Sequence, residues 1–480
     1  MADVIGDISR INLVLIPLFS ACIVIDLIYG DLGFENIIAF VVPLIASISL
    51  IIPYLSKGRS YWKPRKSVKY KMAMATFVYL ILISSLPFML SGFAMPISAL
   101  FESTAGYTTT GLSVGGRADY LEVSRGLLFY RCAISWIGGI FYIVVAFMIL
   151  TDINDVAKRS VDQRMLSRIG MVPRLGTLLS NIAILYVLFT LVSFILLSLT
   201  DMSIFDSLCQ ALGTVSGGGF GAYGRTINGG IGIHMLIVPM MIMSGIGYYV
   251  HMSVFSARGR MKSVFDNENI FYWSSIITAP IIVVLILSLS SYPLGESIWK
   301  GVFSAISAVT TTGFMIDGMI YWPDSARYLL LILMLLGGSS LSVASGLKMQ
   351  RMILLGKGFM GEVKRSSHPR AVISIKRGTG TYSIKALEAA NVTFFYLFAA
   401  LTVSILFLLI FNDGLMDVIS LAVTAISNGG IAYGPFSGPE GISSLNWASK
   451  LLLILVMYIG RFDLLLPIYF LSPRTYTFNG

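Results

Sequence analysis

The stretch YTTTGLSVGG (residues 107–116) returns in altered form three times, as TVSGGGFGAYG (214–224), VTTTGFMIDG (309–318) and AISNGGIAYG (425–434). Aligned on one glycine of each stretch, the equivalent residues are Gly111, Gly218, Gly313 and Gly429. Two positions earlier there is always a hydroxyl group, on Thr109, Ser216, Thr311 and Ser427. A glycine-rich stretch that recurs in one register predicts a repeated architecture.

Each glycine-rich stretch follows a short apolar segment and precedes a long one. The short segments, at about 96–107, 203–215, 298–309 and 416–427, are too short to cross a bilayer and are typical of re-entrant half-helices. Irregular backbone survives at membrane depth only where it is buried or lines a wet cavity. Tight turns or close helix contacts would explain one such cluster, but four in register favour a common channel.

The composition is that of a membrane protein. Of the 480 residues, 56% are apolar and only 12% are charged, about half the charged share of soluble domains. The apolar segments of membrane length run roughly over 11–29, 34–55, 72–94, 124–151, 177–200, 232–255, 271–292, 326–347, 390–412 and 448–471. We predict an all-α integral membrane protein with ten transmembrane helices and four re-entrant pore half-helices.

The predicted organisation follows from the spacing of the glycine-rich stretches. Two additional transmembrane helices (1–56) precede four pseudo-symmetric membrane–pore–membrane repeats around one ion pore. The repeats are expected at 72–151, 177–255, 271–347 and 390–471, with a basic cytoplasmic connection (348–389) before the last.

The basic residues predict the orientation. They concentrate in the connections on one side of the membrane, which the positive-inside rule makes cytoplasmic. We therefore expect a multi-pass protein of the plasma (inner) membrane with both termini in the cytoplasm. The net charge of +10 then reflects topology. Nucleic-acid binding is not expected, because it would need basic and aromatic residues interleaved on a folded domain.

The eighth predicted span, LLGGSSLSVASGLKMQR (335–351), should not be a continuous helix. Glycine weakens helices and serine offers the backbone other partners, so we expect a break here while the neighbouring spans stay continuous. The candidate gate residues are Gly337, Gly338, Ser339, Ser340, Ser342, Ser345 and Gly346. The alternative is that these small residues allow close helix packing.

Ionisable residues inside apolar spans are functional candidates by default. Arg461 lies well inside the last span and is the strongest of them; the alternative is a snorkelling or structurally paired arginine. Arg131 and Asp26 lie near helix ends, so we expect them to snorkel and give them no role.

The repeats resemble the Trk/Ktr/HKT superfamily of potassium transporters, most closely the pore-forming membrane subunit of Trk-type uptake systems. The stretches SWIGGI (135–140), SHPRAVISIKRG (367–378) and IGRFDLLLP (459–467) add to the resemblance. It implies a selectivity filter in which carbonyl oxygens replace the hydration shell of an alkali ion. The implied filter residues are Thr109, Thr110, Gly111, Ser216, Gly217, Gly218, Thr311, Thr312, Gly313, Ser427, Asn428 and Gly429.

The resemblance also implies a function: uptake of K⁺ as the transported ion, with no organic cofactor, gated in the third repeat and with Arg461 as a barrier beneath the filter. Gly111 favours K⁺, because serine at this position is associated with sodium transport in the family. Coupling to Na⁺ or H⁺ stays open, and a sodium-permeable or weakly selective cation channel is the alternative. The implied partners are a second copy of the chain and a cytosolic nucleotide-binding regulatory subunit.

Two other classes of protein fit less well. A transporter of organic solutes would need broken helices in paired repeats rather than four parallel units. An enzyme is not predicted, because the sequence contains no Walker A run, nucleophile–base pair or dinucleotide fingerprint.

Overall fold

The computed structural model describes most of the chain. The described ranges are 2–57, 69–115, 122–152, 175–222, 224–227, 229–255, 266–316, 319–368, 376–377, 380–381, 384–412, 414–437 and 441–462. Three predicted features lie partly outside the described residues. They are the basic face, the stretch SHPRAVISIKRG and the end of IGRFDLLLP.

The described residues are almost entirely helical. The first helices are α1 (Ala2–Tyr29), α2 (Phe34–Lys57), α3 (Lys69–Leu90), α4 (Pro96–Tyr107), α5 (Arg125–Asp152), α6 (Leu175–Ser198), α7 (Ile204–Val215) and α8 (Ile231–Gly245). The remaining helices are α9 (Tyr248–Phe255), α10 (Asn267–Leu289), α11 (Leu294–Val309), α12 (Asp324–Leu336), α13 (Met349–Ser367), α14 (Ile384–Leu409), α15 (Leu415–Ser427) and α16 (Trp447–Phe462). A small antiparallel ladder pairs β1 (Lys376–Arg377) with β2 (Gly380–Thr381).

Long apolar helices make this an all-helical protein of membrane type. Of the described helices, seven are long and apolar enough to cross a bilayer: α1, α2, α3, α5, α6, α10 and α14. Large apolar side chains such as Ile184 and Leu406 stay exposed on their outer faces. Water would disfavour such surfaces, whereas lipid accommodates them.

The predicted continuous span over 232–255 is wrong. Helix α8 ends at Gly245, α9 begins at Tyr248, and the two are bent by 97°. The break has a physical cause in the loop of residues 337–348, called here the 337–348 loop. Its Ser339 N–H donates to the carbonyl of Gly245 over 3.0 Å, and a Cβ added to Gly247 would lie 2.4 Å from the carbonyl oxygen of Ser340.

The eighth predicted span, 326–347, also differs from a full-length helix. Helix α12 ends at Leu336, at the glycine pair where the sequence predicts a break. The following residues are irregular backbone until α13 begins at Met349. In the tenth predicted span, α16 is described to Phe462 only.

Four short helices, α4, α7, α11 and α15, precede the glycine-rich stretches. Local sequence accounts for where two of them start: Pro96 occupies the first turn of α4, and the Ser203 hydroxyl caps α7 by accepting from the Asp206 N–H over 3.0 Å. Each of them packs on the two helices that flank it in sequence and on one more helix. These additional contacts are α4 with α16, α7 with α5, α11 with α8 and α15 with α12. The pattern is cyclic, so the four short helices surround one centre.

Candidate functional site

The four short helices end beside one another in four turns. They are named here the first turn (108–111), the second turn (216–219), the third turn (310–313) and the fourth turn (427–430), and every residue in them is buried. A glycine in each turn faces a carbonyl oxygen of the next turn. The four pairs, each a glycine followed by the residue whose carbonyl oxygen it faces, are Gly111 and Gly218, Gly219 and Thr312, Gly313 and Gly429, and Gly430 and Thr110. A Cβ built on the glycine would lie 2.4, 2.4, 2.5 and 3.2 Å from that oxygen, respectively. The turns therefore form a closed ring of backbone contacts.

Backbone torsion angles fix which residues are equivalent. A left-handed φ occurs at Thr109 (53°), Gly217 (62°), Thr311 (51°) and Asn428 (49°), and again two residues later at Gly111 (73°), Gly219 (63°), Gly313 (79°) and Gly430 (77°). Between them, the N–H groups of Thr110, Gly218, Thr312 and Gly429 each donate to the carbonyl five residues earlier. The alignment of Gly111 with Gly218 and Gly429 was therefore wrong by one residue in two turns. Gly219 and Gly430 are the equivalent residues.

The sequence did contain the signal for this register. A large apolar residue follows the conformationally equivalent glycine in every turn, and all four are fully buried: Leu112, Phe220, Phe314 and Ile431. Adjacent glycines in SGGGF and SNGGI left the choice open. The packing of the next side chain decides it.

Most side-chain hydroxyls of the predicted filter residues brace the turns; the exception is Thr109 Oγ1, which is buried and has no hydrogen-bond partner among the described residues. The Thr110 hydroxyl lies 2.7 Å from that of Thr108 and accepts from Asn428 Nδ2 at 2.7 Å. Thr312 and Thr310 repeat the hydroxyl pair at 2.7 Å. The Ser216 hydroxyl lies 3.1 Å from that of Ser135 in α5. Because these hydroxyls are engaged with protein atoms, the main-chain carbonyl oxygens are the groups best placed to coordinate an ion.

Thr109 and Thr311 adopt a conformation that β-branched residues rarely adopt. Holding such a residue in the left-handed region costs about 1–3 kcal/mol, which surrounding contacts must offset. The Thr311 hydroxyl is fixed by the Ser345 N–H, which donates to it over 2.8 Å. Strained residues of this kind cluster at functional sites such as ligand clamps.

The 337–348 loop lies against the second and third turns. Besides the Ser345–Thr311 bond, the Val343 side chain lies 3.7 Å from the position of a Cβ added to Gly217. The loop is tied at its far side, where Ser340 N–H and Ser339 Oγ donate to the carboxylate of Glu268 at the start of α10. The predicted gate residues are therefore next to the predicted filter residues.

Arg461 contacts the same loop. Its guanidinium is buried, and Nη1 donates to the carbonyl of Val343 over 2.9 Å and to Ser345 Oγ over 2.6 Å. Its Cζ lies 4.0 Å from the centre of the Tyr142 ring. Among the described residues its Nε and Nη2 have no hydrogen-bond partner. The arrangement places an incompletely satisfied positive charge directly behind the loop.

Residues 36–472 match the TrkH family model, which describes a cation transport protein. The chain belongs to the TrkH family. It is 29% identical over 491 residues to the Trk system potassium uptake protein TrkH of Escherichia coli K12, covering 97% of this chain and 98% of that one. The corresponding protein of Halomonas elongata is 27% identical over 483 residues, with the same coverage.

The fold also matches a solved member of the family. The crystal structure of the potassium transporter TrkH from Vibrio parahaemolyticus superposes with a TM-score of 0.85 at 23% identity. The match covers 98% of this chain and 99% of that one. The chain therefore has the fold of that transporter over essentially its whole length.

The expectation that Arg131 snorkels was wrong for this TrkH-family chain. Arg131 is fully buried, and its Nε donates to Glu102 Oε1 in α4 over 2.8 Å. Glu102 also accepts from the Ser113 hydroxyl at 2.8 Å and the Val114 N–H at 2.9 Å. The pair thus fixes the backbone that leaves the first turn. An acidic residue inside an apolar half-helix is the sequence signal that could have found it.

Asp26 is likewise buried rather than snorkelling. Its carboxylate accepts from the Gly126 N–H over 2.6 Å, at the start of α5. A negative charge at a helix N-terminus is favourable, because the unpaired N–H groups there carry partial positive charge. Asp26 therefore joins α1 to the first helix that follows the first turn.

Proposed function

We propose that this protein takes up K⁺ across the plasma (inner) membrane through the ring formed by the four turns. The observation that carries the proposal is the succession of glycines that each face a carbonyl oxygen of the next turn. Such a ring offers a dehydrated alkali ion oxygen ligands in place of its hydration shell. The names of the relatives from Escherichia coli and Halomonas elongata, potassium uptake proteins, support K⁺ as the ion.

The proposed filter consists of residues 108–111, 216–219, 310–313 and 427–430. Glycine is needed at Gly111, Gly219, Gly313 and Gly430, because each has a positive φ and no space for a Cβ. The C-terminal ends of α4, α7, α11 and α15 lie beside the filter. The dipole of each helix gives this end partial negative charge, which favours a cation.

The proposed gate is the 337–348 loop. It lies against the filter residues Thr311 and Gly217 and is fixed from behind by Arg461. A permeant ion has to pass this loop once it leaves the filter. Arg461 adds a positive charge at that point, which raises the barrier for a cation as long as the loop stays in place.

The proposal includes the topology that the sequence predicts. The chain would cross the membrane ten times. The seven long helices would be joined by three further spans: α8 with α9, α12 with the 337–348 loop, and α16. The four repeats would occupy 72–151, 177–255, 271–347 and 390–471. Both termini and the basic connection 348–389 would be cytoplasmic. The family resemblance supports a homodimer and a cytosolic nucleotide-binding regulatory subunit that docks on the basic connections, and leaves open any coupling to Na⁺ or H⁺.

A weakly selective or sodium-permeable channel is the second candidate, and one observation favours it. Gly218 stands in the second turn where the first and third turns carry Thr110 and Thr312, whose hydroxyls pair with those of Thr108 and Thr310. A turn with fewer braces holds its carbonyl oxygens less firmly, so discrimination by ligand geometry is weaker.

Growth of a potassium-uptake-deficient cell at low external K⁺ tests the proposal. Expression of this chain should restore growth, and purified protein in liposomes should accumulate Rb⁺ in competition with K⁺ but not with Na⁺. The variant Gly232→Ala in α8 should take up Rb⁺ as the unchanged protein does, because a Cβ there meets nothing within 4 Å. Equal Na⁺ and K⁺ fluxes would favour the second candidate, and no flux of either ion would refute both.

A further inference from the structure

Arg225, in the segment that leaves the second turn, reaches across the ring of turns. Its Nε donates to the carbonyl oxygen of Gly111 over 2.6 Å, and its Nη1 donates to the carbonyl oxygen of Gly430. These carbonyls belong to the first and fourth turns, which are neighbours in the ring. One guanidinium thus bridges two turns to which it does not belong.

The backbone of Arg225 is held beside the third turn. The Met315 N–H, two residues after the third turn, donates to the Arg225 carbonyl over 3.2 Å, and Thr226 pairs with Met315 as a parallel bridge. The segment of Arg225 therefore runs from the second turn to the third, while its side chain contacts the first and fourth. The residue lies over the centre that all four turns share.

The contacts of Arg225 have the chemistry of a cation site. Gly111 and Gly430 are equivalent residues at the end of their turns, on the side that leads to the connections between the turns and the next helices. In the proposed topology this is the extracellular side. A positively charged group between their carbonyl oxygens takes the same ligands that a partly dehydrated monovalent cation would take. The two cannot occupy the place together without strong repulsion.

The two turns that Arg225 bridges also have hydrogen bonds that do not involve it. The Gly111 N–H already donates to the Ala105 carbonyl, and Asn428 Nδ2 already joins the fourth turn to the Thr110 hydroxyl over 2.7 Å. The guanidinium is only half-buried, so its charge can move toward water when an ion arrives. A side chain with these properties is suited to being displaced by an ion rather than to holding the turns together.

We propose that Arg225 is a tethered cation that competes with the transported ion for the outermost carbonyl oxygens of the ring. Its presence raises the external ion concentration that gives half-maximal uptake, and an arriving ion must displace it. This inference rests on the proposed function and adds a residue that sets the concentration range over which the pathway works.

The test compares Arg225→Gln and Arg225→Lys with the matched control Arg327→Gln. Arg327, at the start of α12, carries a positive charge as Arg225 does, but it pairs with Asp324 in its own helix rather than with a turn carbonyl. Initial rates of Rb⁺ uptake are measured against external Rb⁺ concentration. Arg225→Gln should lower the half-saturating concentration by roughly fivefold, as expected for one unit charge about 4 Å away in watery surroundings.

Arg225→Lys should fall between Arg225→Gln and the unchanged protein, because a lysine ammonium keeps the charge but cannot bridge two carbonyls with a planar fork. Free guanidinium ion should inhibit Arg225→Gln more strongly than the unchanged protein, since the place is then empty. Arg327→Gln should match the unchanged protein. A merely structural role would not produce this pattern.

Two results would overturn the inference while leaving the proposed function intact. An unchanged half-saturating concentration in Arg225→Gln would remove Arg225 from the ion path. A raised value, or lost uptake with normal amounts of well-folded protein, would make Arg225 a brace. If Arg225→Gln does not fold, Arg225→Lys decides, since a competing cation requires a lower half-saturating concentration there too. Failure of the unchanged protein to take up Rb⁺ would refute the proposed function instead.

Discussion

Gly111 and Gly218 lie so close that a Cβ on Gly111 would stand 2.4 Å from the carbonyl oxygen of Gly218. Real Cβ atoms essentially never come so near to another heavy atom. Gly111 also has a φ of 73°, in the left-handed region that costs other residues about 1–2 kcal/mol. Two independent constraints therefore require glycine here, and both arise from one close contact between neighbouring turns.

Replacing Gly111 by serine should weaken discrimination between K⁺ and Na⁺. The new Cβ must displace the Gly218 carbonyl, which moves one side of the ring. A displacement worth about 1.4 kcal/mol corresponds to a tenfold loss of selectivity. The measurement is the ratio of K⁺ to Na⁺ competition against Rb⁺ uptake in liposomes. Gly232→Ser is the control, and unaltered selectivity in Gly111→Ser would contradict the assignment of the filter.

The corrected register makes a prediction of its own in the fourth turn. Gly430→Ala should impair selective uptake, because Gly430 has a φ of 77° and a Cβ would lie 2.7 Å from the Gly313 Cα. Gly429→Ala should be milder, since Gly429 has no positive φ and its closest neighbour is the flexible end of Met334, at 2.6 Å. Rb⁺ uptake of the two variants, compared at equal protein amounts, measures the difference. If Gly429→Ala were the more damaging, the original alignment would be restored.

Much of the site could be predicted because its signal is local and repeated. The short apolar segments predicted the positions of α4, α7, α11 and α15, and the small residues at 337–346 predicted where α12 ends. The depth of Arg461 in the last span marks it as a functional candidate, and the resemblance of IGRFDLLLP points to the same residue. These features depend on properties of consecutive residues, such as length, apolarity and helix propensity.

The rest depends on contacts between distant residues. The break after Gly245 lies in the stretch SGIG (244–247), whose glycines weaken a helix, but the 337–348 loop that contacts it comes from far away in the chain. The Glu102–Arg131 pair joins residues on two helices, and Arg225 meets carbonyls of turns far away in the chain. Long-range pairing of this kind has no periodicity to detect, so the sequence could not supply it.

Arg461→Met should increase the rate of uptake severalfold. Methionine fills similar space but cannot donate to the Val343 carbonyl and the Ser345 hydroxyl, so the 337–348 loop loses its fastening from behind. The positive charge behind the loop disappears as well. The measurement is the maximal Rb⁺ uptake rate in liposomes at saturating external Rb⁺.

Deletion of residues 338–345 should raise the rate in the same direction, because it removes the loop itself. Ser345→Ala is the graded control: it removes one of the two acceptors of Arg461 but keeps the loop, so its effect should be smaller. A properly folded deletion with unchanged flux would make the loop a packing element. A lower rate in Arg461→Met would mean that the arginine assists the ion instead of restraining it.

Glu102→Gln should strongly destabilise the protein, because it leaves the Arg131 guanidinium as a buried charge without its anionic partner. Breaking one side of a buried ion pair costs about 3–5 kcal/mol. The matched control is Glu362→Gln, which breaks an ion pair with Arg365 at 3.0 Å in which both side chains are exposed, and such pairs contribute at most about 1 kcal/mol. Thermal unfolding in detergent measures both variants.

Glu102→Gln should also disturb the first turn, since Glu102 accepts from the Ser113 hydroxyl and the Val114 N–H. Combining Glu102→Gln with Arg131→Met should recover part of the lost stability, as the uncompensated charge is then gone. If Glu102→Gln and Glu362→Gln had equal midpoints of thermal unfolding, the Glu102–Arg131 pair would not stabilise the fold.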